Sequence, residues 1–289
     1  MATLHKFVDG REAFKSLLAY VHHEGRIRSP RGLKTYDVGY TTVELLSPYD
    51  ALPIGLGRKL SKRVAAAEAI QLIGGFAEPQ LLLQASPAFA RYIEPSGEFW
   101  GAYGRRIAAG GQLASVVRKL QEDPDTRQAI VSLWHGALDN VEGKKDYPCT
   151  LTLGFSTVND KIELDVTMRS NDVWRGLPYD IFQFTQLQLT VANVLGRHPG
   201  AYRHHAYSLH LYADDEHDAV NVYADVLDVK PSFSPMGLGN PPCLTLSDTI
   251  RRARGIAGFE QPIHGEPFAR LDCLDDSERW YWDALHPTQ

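Results

Sequence analysis

The sequence predicts an α+β fold: a large mixed β-sheet flanked by helices. Three observations carry this reading. Helix-like and strand-like segments mix along the chain without regular βαβ alternation. Two β-branched, apolar runs, Thr150–Thr157 and Lys161–Met168, flank Val158-Asn159-Asp160, which reads as a hairpin turn. Long apolar segments at Lys59–Gly74 and Pro178–Leu195 end at the glycine stops Gly74-Gly75 and Gly196.

The remaining elements follow in order. Segment 11–23 is apolar at helical spacing through Phe14, Leu17, Leu18 and Val21. Segment 24–35, with Gly25, Arg26, Arg28, Pro30, Arg31 and Gly32, reads as a loop. Tyr40–Leu46 reads as a strand. Pro79–Tyr103 is irregular with short helical pieces, Leu113–Gln121 is a helix and Ala129–Trp134 a strand. Ser208–Tyr212 reads as a strand, Asp218–Val226 as a helix and Lys230–Pro242 as a loop, while Pro262–Gln289 carries no clear pattern.

The 289 residues suit one to two domains at about 150 residues each. With 44% apolar and 22% charged residues, the composition is globular and excludes a disordered chain, a collagen-like fibre or a disulfide scaffold. No apolar run approaches the roughly 18–20 residues of a membrane span, and the start shows no apolar signal segment, so no membrane association is expected. Three cysteines, Cys149, Cys243 and Cys273, suggest reduced thiols and a cytoplasmic setting. A net charge of −5 argues against dedicated nucleic-acid binding.

Two stretches carry chemistry. In Tyr147-Pro148-Cys149-Thr150 a cysteine stands between a charged loop and an apolar strand; such a residue is either a small hydrophobe or an exposed nucleophile. Met168 to Asp180 gathers two arginines, a serine and two aspartates at the start of an apolar helix. That charge density is costly unless paired, solvated or bound to a ligand, and an Arg169–Asp172 pair capping the helix is the structural alternative. Glu68 falls on or near the apolar stripe of its helix, where a carboxyl is disfavoured unless it works or is paired. His204 and His205 are adjacent on a strand and face opposite ways, so no metal site is expected.

Pro148-Cys149, Arg169-Ser170-x-Asp172, Gly176-Leu177-Pro178-Tyr179 and His210-x-Tyr212, in this order and spacing, resemble the thymidylate synthase superfamily. The resemblance is strongest over 26–215, leaves 230–289 as a divergent C-terminal region, and implies a single thymidylate synthase-like domain over 1–289. It implies a homodimer across the sheet, a pyrimidine nucleoside monophosphate substrate and 5,10-methylenetetrahydrofolate as co-substrate, with no metal. Cys149 is similar to the nucleophile that adds to C6 of the pyrimidine, with Arg169 the cation expected to lower its pKa. Glu68 resembles the general acid/base and Tyr103 the tyrosine of the cysteine pocket. Arg169 and Ser170 resemble phosphate ligands, as does Arg31, while Arg26 and Arg28 are read as solvated loop charges. Asp172 falls in the same substrate-binding block. Arg127 resembles an arginine that reaches the neighbouring subunit's phosphate, although Gln128 replaces its usual companion arginine. His210 and Tyr212 resemble the pair that binds the sugar hydroxyl.

Two departures refine the expectation. After Gly-Leu-Pro-aromatic the uracil enzymes carry asparagine, whereas this chain has Asp180. A carboxylate only accepts; it repels uracil O4 but accepts from the cytosine N4 amino group and stabilises a proton on N3. Helix capping by Asp180 is the structural alternative. The tryptophan expected between Glu68 and the tyrosine motif is missing until Trp100, Thr150 follows the cysteine, and the end His286-Pro287-Thr288-Gln289 is not small and apolar. These features favour water over hydride as the final nucleophile. The expectation is therefore a deoxycytidylate 5-hydroxymethyltransferase. The alternatives are a CMP 5-hydroxymethylase, a dCMP 5-methyltransferase, a dUMP-using thymidylate synthase and a catalytically silent nucleotide-binding relative.

Overall fold

The computed structural model describes residues 3–225, 237, 245–258 and 275–287. Strand β1 (Thr3–Phe7) leads into α1 (Gly10–Glu24), then β2 (Arg26–Arg28) and β3 (Thr35–Leu45). Helices α2 (Lys62–Gly74), α3 (Gln80–Ala85), α4 (Tyr103–Ala108) and α5 (Gln112–Glu122) follow. Next come β4 (Ile130–Ser132), α6 (Gly136–Asp139), β5 (Thr150–Val158), β6 (Lys161–Met168) and β7 (Asn171–Asp172). The chain continues through α7 (Leu177–Val194), β8 (His198–Tyr212), α8 (Glu216–Ala224), α9 (Leu246–Ile256) and α10 (Asp276–Leu285).

The eight strands form one sheet in the order β1-β3-β8-β6-β5-β4, with β2 on β3 and β7 on β8. Parallel pairs (β1/β3, β6/β8, β7/β8) and antiparallel pairs (β2/β3, β3/β8, β4/β5, β5/β6) coexist, so the sheet is mixed as expected. The β5–β6 hairpin closes on Asn159 and Asp160, both at positive φ (50° and 61°), as a two-residue turn of the primed type requires. Ile162, Leu164, Val166 and Met168 of β6 and Tyr202, His204 and Ala206 of β8 are buried. Glu163, Asp165, Arg203 and His205 alternate with them on the opposite face. There Arg203 bonds Glu44 and Glu163, each at 2.8 Å, and His205 bonds Asp165 at 3.1 Å. His204 instead lies inside with Tyr202, its imidazole pushed by burial to a pKa of about 3, so the two histidines do face opposite ways.

Helix α2 is enclosed on nearly all sides. The Ser61 side chain caps its start by accepting from the Val64 backbone N–H, and left-handed Gly75 closes its end. Ala65, Ala66, Ala67 and Ala69 are fully buried, and such small residues let α3, α4, α7, α9 and α10 pack against it. Ile70, Leu72 and Ile73 are also buried, each worth about 1.5–3 kcal/mol of apolar transfer. Gly104, at the start of α4, lies flush on the end of α2; a Cβ there would stand 2.2 Å from the Gln71 carbonyl oxygen.

Some segments differ from expectation. The supposed loop 24–35 contains β2, whose three residues are all exposed and therefore show no apolar alternation. Arg28 there is not a free solvated charge: it bonds the buried Asp37 at 2.9 Å. Ser208–Tyr212 is the end of a 15-residue strand whose first half is masked by polar outward-facing residues. Strand β1 and helices α4, α6 and α9 were not anticipated, and α10 lies in the tail that showed no pattern. Nearly all of Lys230–Pro242 and most of 262–289 lie outside the described residues, as do Cys243 and Cys273. No helix among the described residues is long and apolar enough to cross a membrane.

The contact at Gly104 makes a direct test. Gly104→Ala must displace backbone instead of a flexible side chain, so we expect a loss of about 3 kcal/mol. Calorimetry should then record a melting temperature lower by roughly 6 °C or more.

Candidate active site

The cleft between α2, α4, the entry to β5 and the start of α7 encloses a cavity of about 150 Å³. Cys149, Glu68, Tyr103 and Asp180 all line it. These four positions are spread over more than a hundred residues of sequence and reach one space through the packing of α2 and α7 on each other.

Cys149 stands at the mouth of β5, and its backbone is held by the neighbouring strand end. The Arg169 backbone N–H donates to the Cys149 carbonyl at 2.8 Å. The Arg169 guanidinium donates to the carbonyls of Pro148 at 3.0 Å and Tyr147 at 3.2 Å, and to the Ser170 hydroxyl at 3.3 Å. It makes no ion pair with Asp172, so the Arg169–Asp172 pairing alternative does not hold. The Ser170 hydroxyl lies 3.9 Å from the Cys149 sulfur. Burial pushes the Cys149 thiol above its ordinary pKa; Arg169 and Ser170 pull it down, while Asp180 and Asp146 push it further up. Arg169 thus acts on the thiol in the expected direction, and desolvation outweighs it.

Glu68 faces the cavity from α2, and its Oε2 is buried without a hydrogen-bond partner. Burial, reinforced by Asp180, raises its pKa from 4.5 to about 8. Asp180 sits within the first turn of α7, and no side chain caps that helix at Gly176. The Asp180 carboxyl accepts from Asn171 Nδ2 at 2.6 Å and Gln183 Nε2 at 3.1 Å. Burial still raises its pKa from 3.8 to about 7 against those two donors. The Tyr103 hydroxyl accepts the Thr150 backbone N–H at 3.2 Å and is held neutral by burial, with its ring stacked on Phe184. Tyr179, the aromatic of the Gly-Leu-Pro-Tyr block, accepts the Ser61 backbone N–H at 3.0 Å and so ties α7 to the cap of α2.

The other sequence-selected residues do not line the cavity. Arg31 is exposed at the 3₁₀ turn Pro30–Gly32 with φ at 52°, and Arg127 is exposed between α5 and β4. Asp172 accepts the backbone N–H groups of Trp174 and Arg175 at 2.8 and 3.0 Å, and its other oxygen is buried without a partner. His210 pairs in register with Asp172 and packs edge-on against Tyr212 at 5.3 Å; Arg175 lies 4.9 Å from the Tyr212 ring. Trp100 is held outside the cavity by its indole N–H, which donates to Asp139 at 3.0 Å. Among the described residues no group of three His, Cys, Asp or Glu side chains could hold a metal ion.

Sequence reasoning missed several lining residues. Gln71 and Gln183 stand one helical turn beyond Glu68 and Asp180, so the i+3 spacing could have found them. Asp146 was hidden in a charged loop, and Phe89, Tyr92 and Phe99, which form an aromatic wall, lay in the irregular segment.

The fold and this constellation define a protein of the thymidylate synthase class, and comparison with known proteins agrees. A family model described as Thymidylate synthase matches residues 12–230. The chain belongs to the thymidylate synthase family. It is 28% identical over 219 residues to a deoxyuridylate hydroxymethyltransferase of Bacillus phage SP01, covering 71% of this chain and 57% of that protein. It is 28% identical over 152 residues to a deoxyuridylate hydroxymethyltransferase of Pseudomonas phage M6, covering 51% of this chain and 43% of the relative. It is also 29% identical over 124 residues to the thymidylate synthase of Mycoplasma genitalium, covering 43% and 42% of the two chains. The chain spans about half the length of the curated relatives it matches.

The two raised carboxyls set a pH signature. Both hold their protons more tightly in the fold than in the unfolded chain, so their contribution is fully present below about pH 4. It is lost as pH rises through about 7 for Asp180 and about 8 for Glu68. Glu68→Gln cannot ionise. Its stability relative to the unsubstituted protein should therefore rise between pH 5 and pH 9, by about 4 kcal/mol in denaturant titrations. A pH-independent difference would contradict the assignment.

Proposed function

We propose that the protein transfers a one-carbon unit from 5,10-methylenetetrahydrofolate to C5 of a cytosine nucleotide, converting dCMP to 5-hydroxymethyl-dCMP. The observation that carries the reading is Asp180, a carboxyl in the cavity with Cys149 and Glu68 where the uracil enzymes of the resemblance have an amide. Its two oxygens accept the N–H groups of Asn171 and Gln183, which fixes the orientation of the carboxyl. In that orientation it accepts from the cytosine N4 amino group and, with a pKa near neutrality, carries the proton that N3 needs as the ring takes up a nucleophile.

The roles follow from the chemistry of each group. Cys149 adds to C6 as the thiolate, which makes C5 nucleophilic; the Arg169 guanidinium favours the thiolate from which the addition starts. Glu68, with ordered water, moves protons at the ring, and its raised pKa suits that task near neutral pH. Tyr103 fixes the Thr150 backbone beside the nucleophile. Arg31, Arg127, Arg169 and Ser170 bind the phosphate, and His210 and Tyr212 the sugar, with Asp172 bracing their strand from the β7 side. The wall of Phe89, Tyr92 and Phe99 fits a flat pterin ring, and the folate supplies carbon at the oxidation level of formaldehyde. Arg127 acts across a homodimer formed on the sheet face that carries Arg203, Glu163 and His205. The chain works as a single domain in the reducing cytoplasm, where Cys149 stays a free thiol.

A second reading, with a uracil nucleotide as substrate, is favoured by the relatives described as deoxyuridylate hydroxymethyltransferases. The two separate in one assay: release of tritium from C5 of dCMP, CMP and dUMP with methylenetetrahydrofolate present, followed by product mass. Release from dCMP with a gain of CH2O is the expected result. Release from dUMP alone overturns the cytosine assignment, a CH2 gain overturns the hydroxymethyl product, and binding without release supports the silent relative. Asp180→Asn should move the kcat/KM preference from dCMP toward dUMP by about 10²-fold, as a bidentate base contact of up to ~3 kcal/mol allows.

A further inference from the structure

Asp146 is a third carboxylate of the cavity, and the roles above leave it without a task. It stands three residues before Cys149 and shares the lining with Cys149, Tyr103 and Asp180. The backbone opposite comes flush against it: a Cβ on Gly101 would lie 2.5 Å from Asp146 Oδ2. The two guanidinium groups in whose field it lies are engaged elsewhere. Arg106 bonds Asp139, the Leu133 carbonyl and the Trp100 carbonyl; Arg169 bonds the Tyr147 and Pro148 carbonyls and Ser170. Asp146 makes no ion pair among the described residues. Burial raises its pKa above the usual carboxylate range despite Arg106, Arg169 and the Gly101 N–H, which makes it a better proton acceptor than a surface aspartate.

A second observation points to a ligand in the same space. Gln71 is only 6% exposed and lines the cavity, yet its Nε2 is buried with no hydrogen-bond partner. Glu68 Oε2 is likewise without one. A water molecule needs two to four polar partners. An unused amide donor and two carboxylates meet that requirement, and they leave one lone pair of the water free.

We propose that Asp146, together with Gln71, holds and deprotonates the water that captures the methylene group on C5 of the pyrimidine, and so sets the hydroxymethyl product. This rests on the hydroxymethyl-transfer reading above. The water oxygen bonds to the methylene carbon as its proton passes to the Asp146 carboxylate. The displaced π pair enters the ring at C5 and re-forms the C5–C6 double bond as the C6–Sγ bond breaks. The sulfur leaves with its pair and recovers the proton. Nothing is oxidised or reduced in the step, so tetrahydrofolate is released unoxidised.

The test follows [5-³H]dCMP and methylenetetrahydrofolate through a single turnover, with enzyme in excess, by two readouts, tritium release and product mass, in the unsubstituted protein and in Asp146→Asn. Hydroxymethyl product should form about 10²-fold more slowly in the variant, the size of a lost general base, with tritium release reduced far less. Added 2-mercaptoethanol should then capture the waiting methylene as a thioether. Hydroxymethylation at the original rate, or a parallel fall in both readouts, overturns the role of Asp146. A CH2 gain by the unsubstituted protein instead overturns the hydroxymethyl reading, and with it this one. Gln71→Met, of similar volume, removes the amide donor on a different element; it should show the same split between readouts even where Asp146→Asn does not fold.

Discussion

The site depends on one costly arrangement: two carboxyls buried around a single cavity with no cation paired to either. Desolvation raises the cost of ionising both, and the charge of Asp180 adds to it at Glu68 as that of Asp172 does at Asp180. Such a pair survives only if the surrounding packing is rigid enough to prevent relaxation toward solvent. Helix α2, embedded among five other helices, supplies that rigidity for Glu68. The return is chemical. A carboxyl that titrates near neutrality both gives and takes protons within one catalytic cycle.

Cys149 is treated in the opposite way. Its environment holds a cation close, but that cation is engaged with the carbonyls of Tyr147 and Pro148 and fixes the backbone that presents the sulfur. Arg169 is therefore placed to do two things, order the cysteine loop and bias the thiol. The first dominates, because burial and the negative field of Asp180 and Asp146 favour the proton on sulfur. A bound phosphate ester and base would change that balance only if they also supplied a proton acceptor. The raised carboxyls are positioned to be one.

Much of this was legible in the sequence, for identifiable reasons. The Cys149, Arg169-Ser170, Gly176–Asp180 and His210–Tyr212 blocks are local and their spacing survives without the fold. Glu68 stood out because a carboxyl on an apolar helix is conspicuous, and the Asn159-Asp160 turn because its chemistry is local. What escaped was non-local or unpatterned. Strand β2 has no buried face, and β8 hides His204 inside while displaying Arg203 and His205 outside, so its first half reads as polar. Helix α9 is polar in sequence, and only its capping box at Thr245–Asp248 marks its start. Asp146 meets Gly101 across 45 positions, a contact that no local window contains.

Asp180 shows how a single atom change in a family framework alters what the same cavity can recognise. An amide at this place offers one donor and one acceptor, fixed by chemistry. A carboxyl offers two acceptors when ionised and one donor plus acceptors when protonated. Its pKa near 7 keeps both forms within reach, and Asn171 and Gln183, each donating to a different oxygen, hold its plane fixed in either state. Ionised, it matches a cytosine whose N4 amino group and protonated N3 both donate. Protonated, it becomes the source of that N3 proton. On the cytosine reading proposed above, discrimination and activation of the base converge on one titrating group, and the surrounding amides, which cannot titrate, are what let it change charge without changing place.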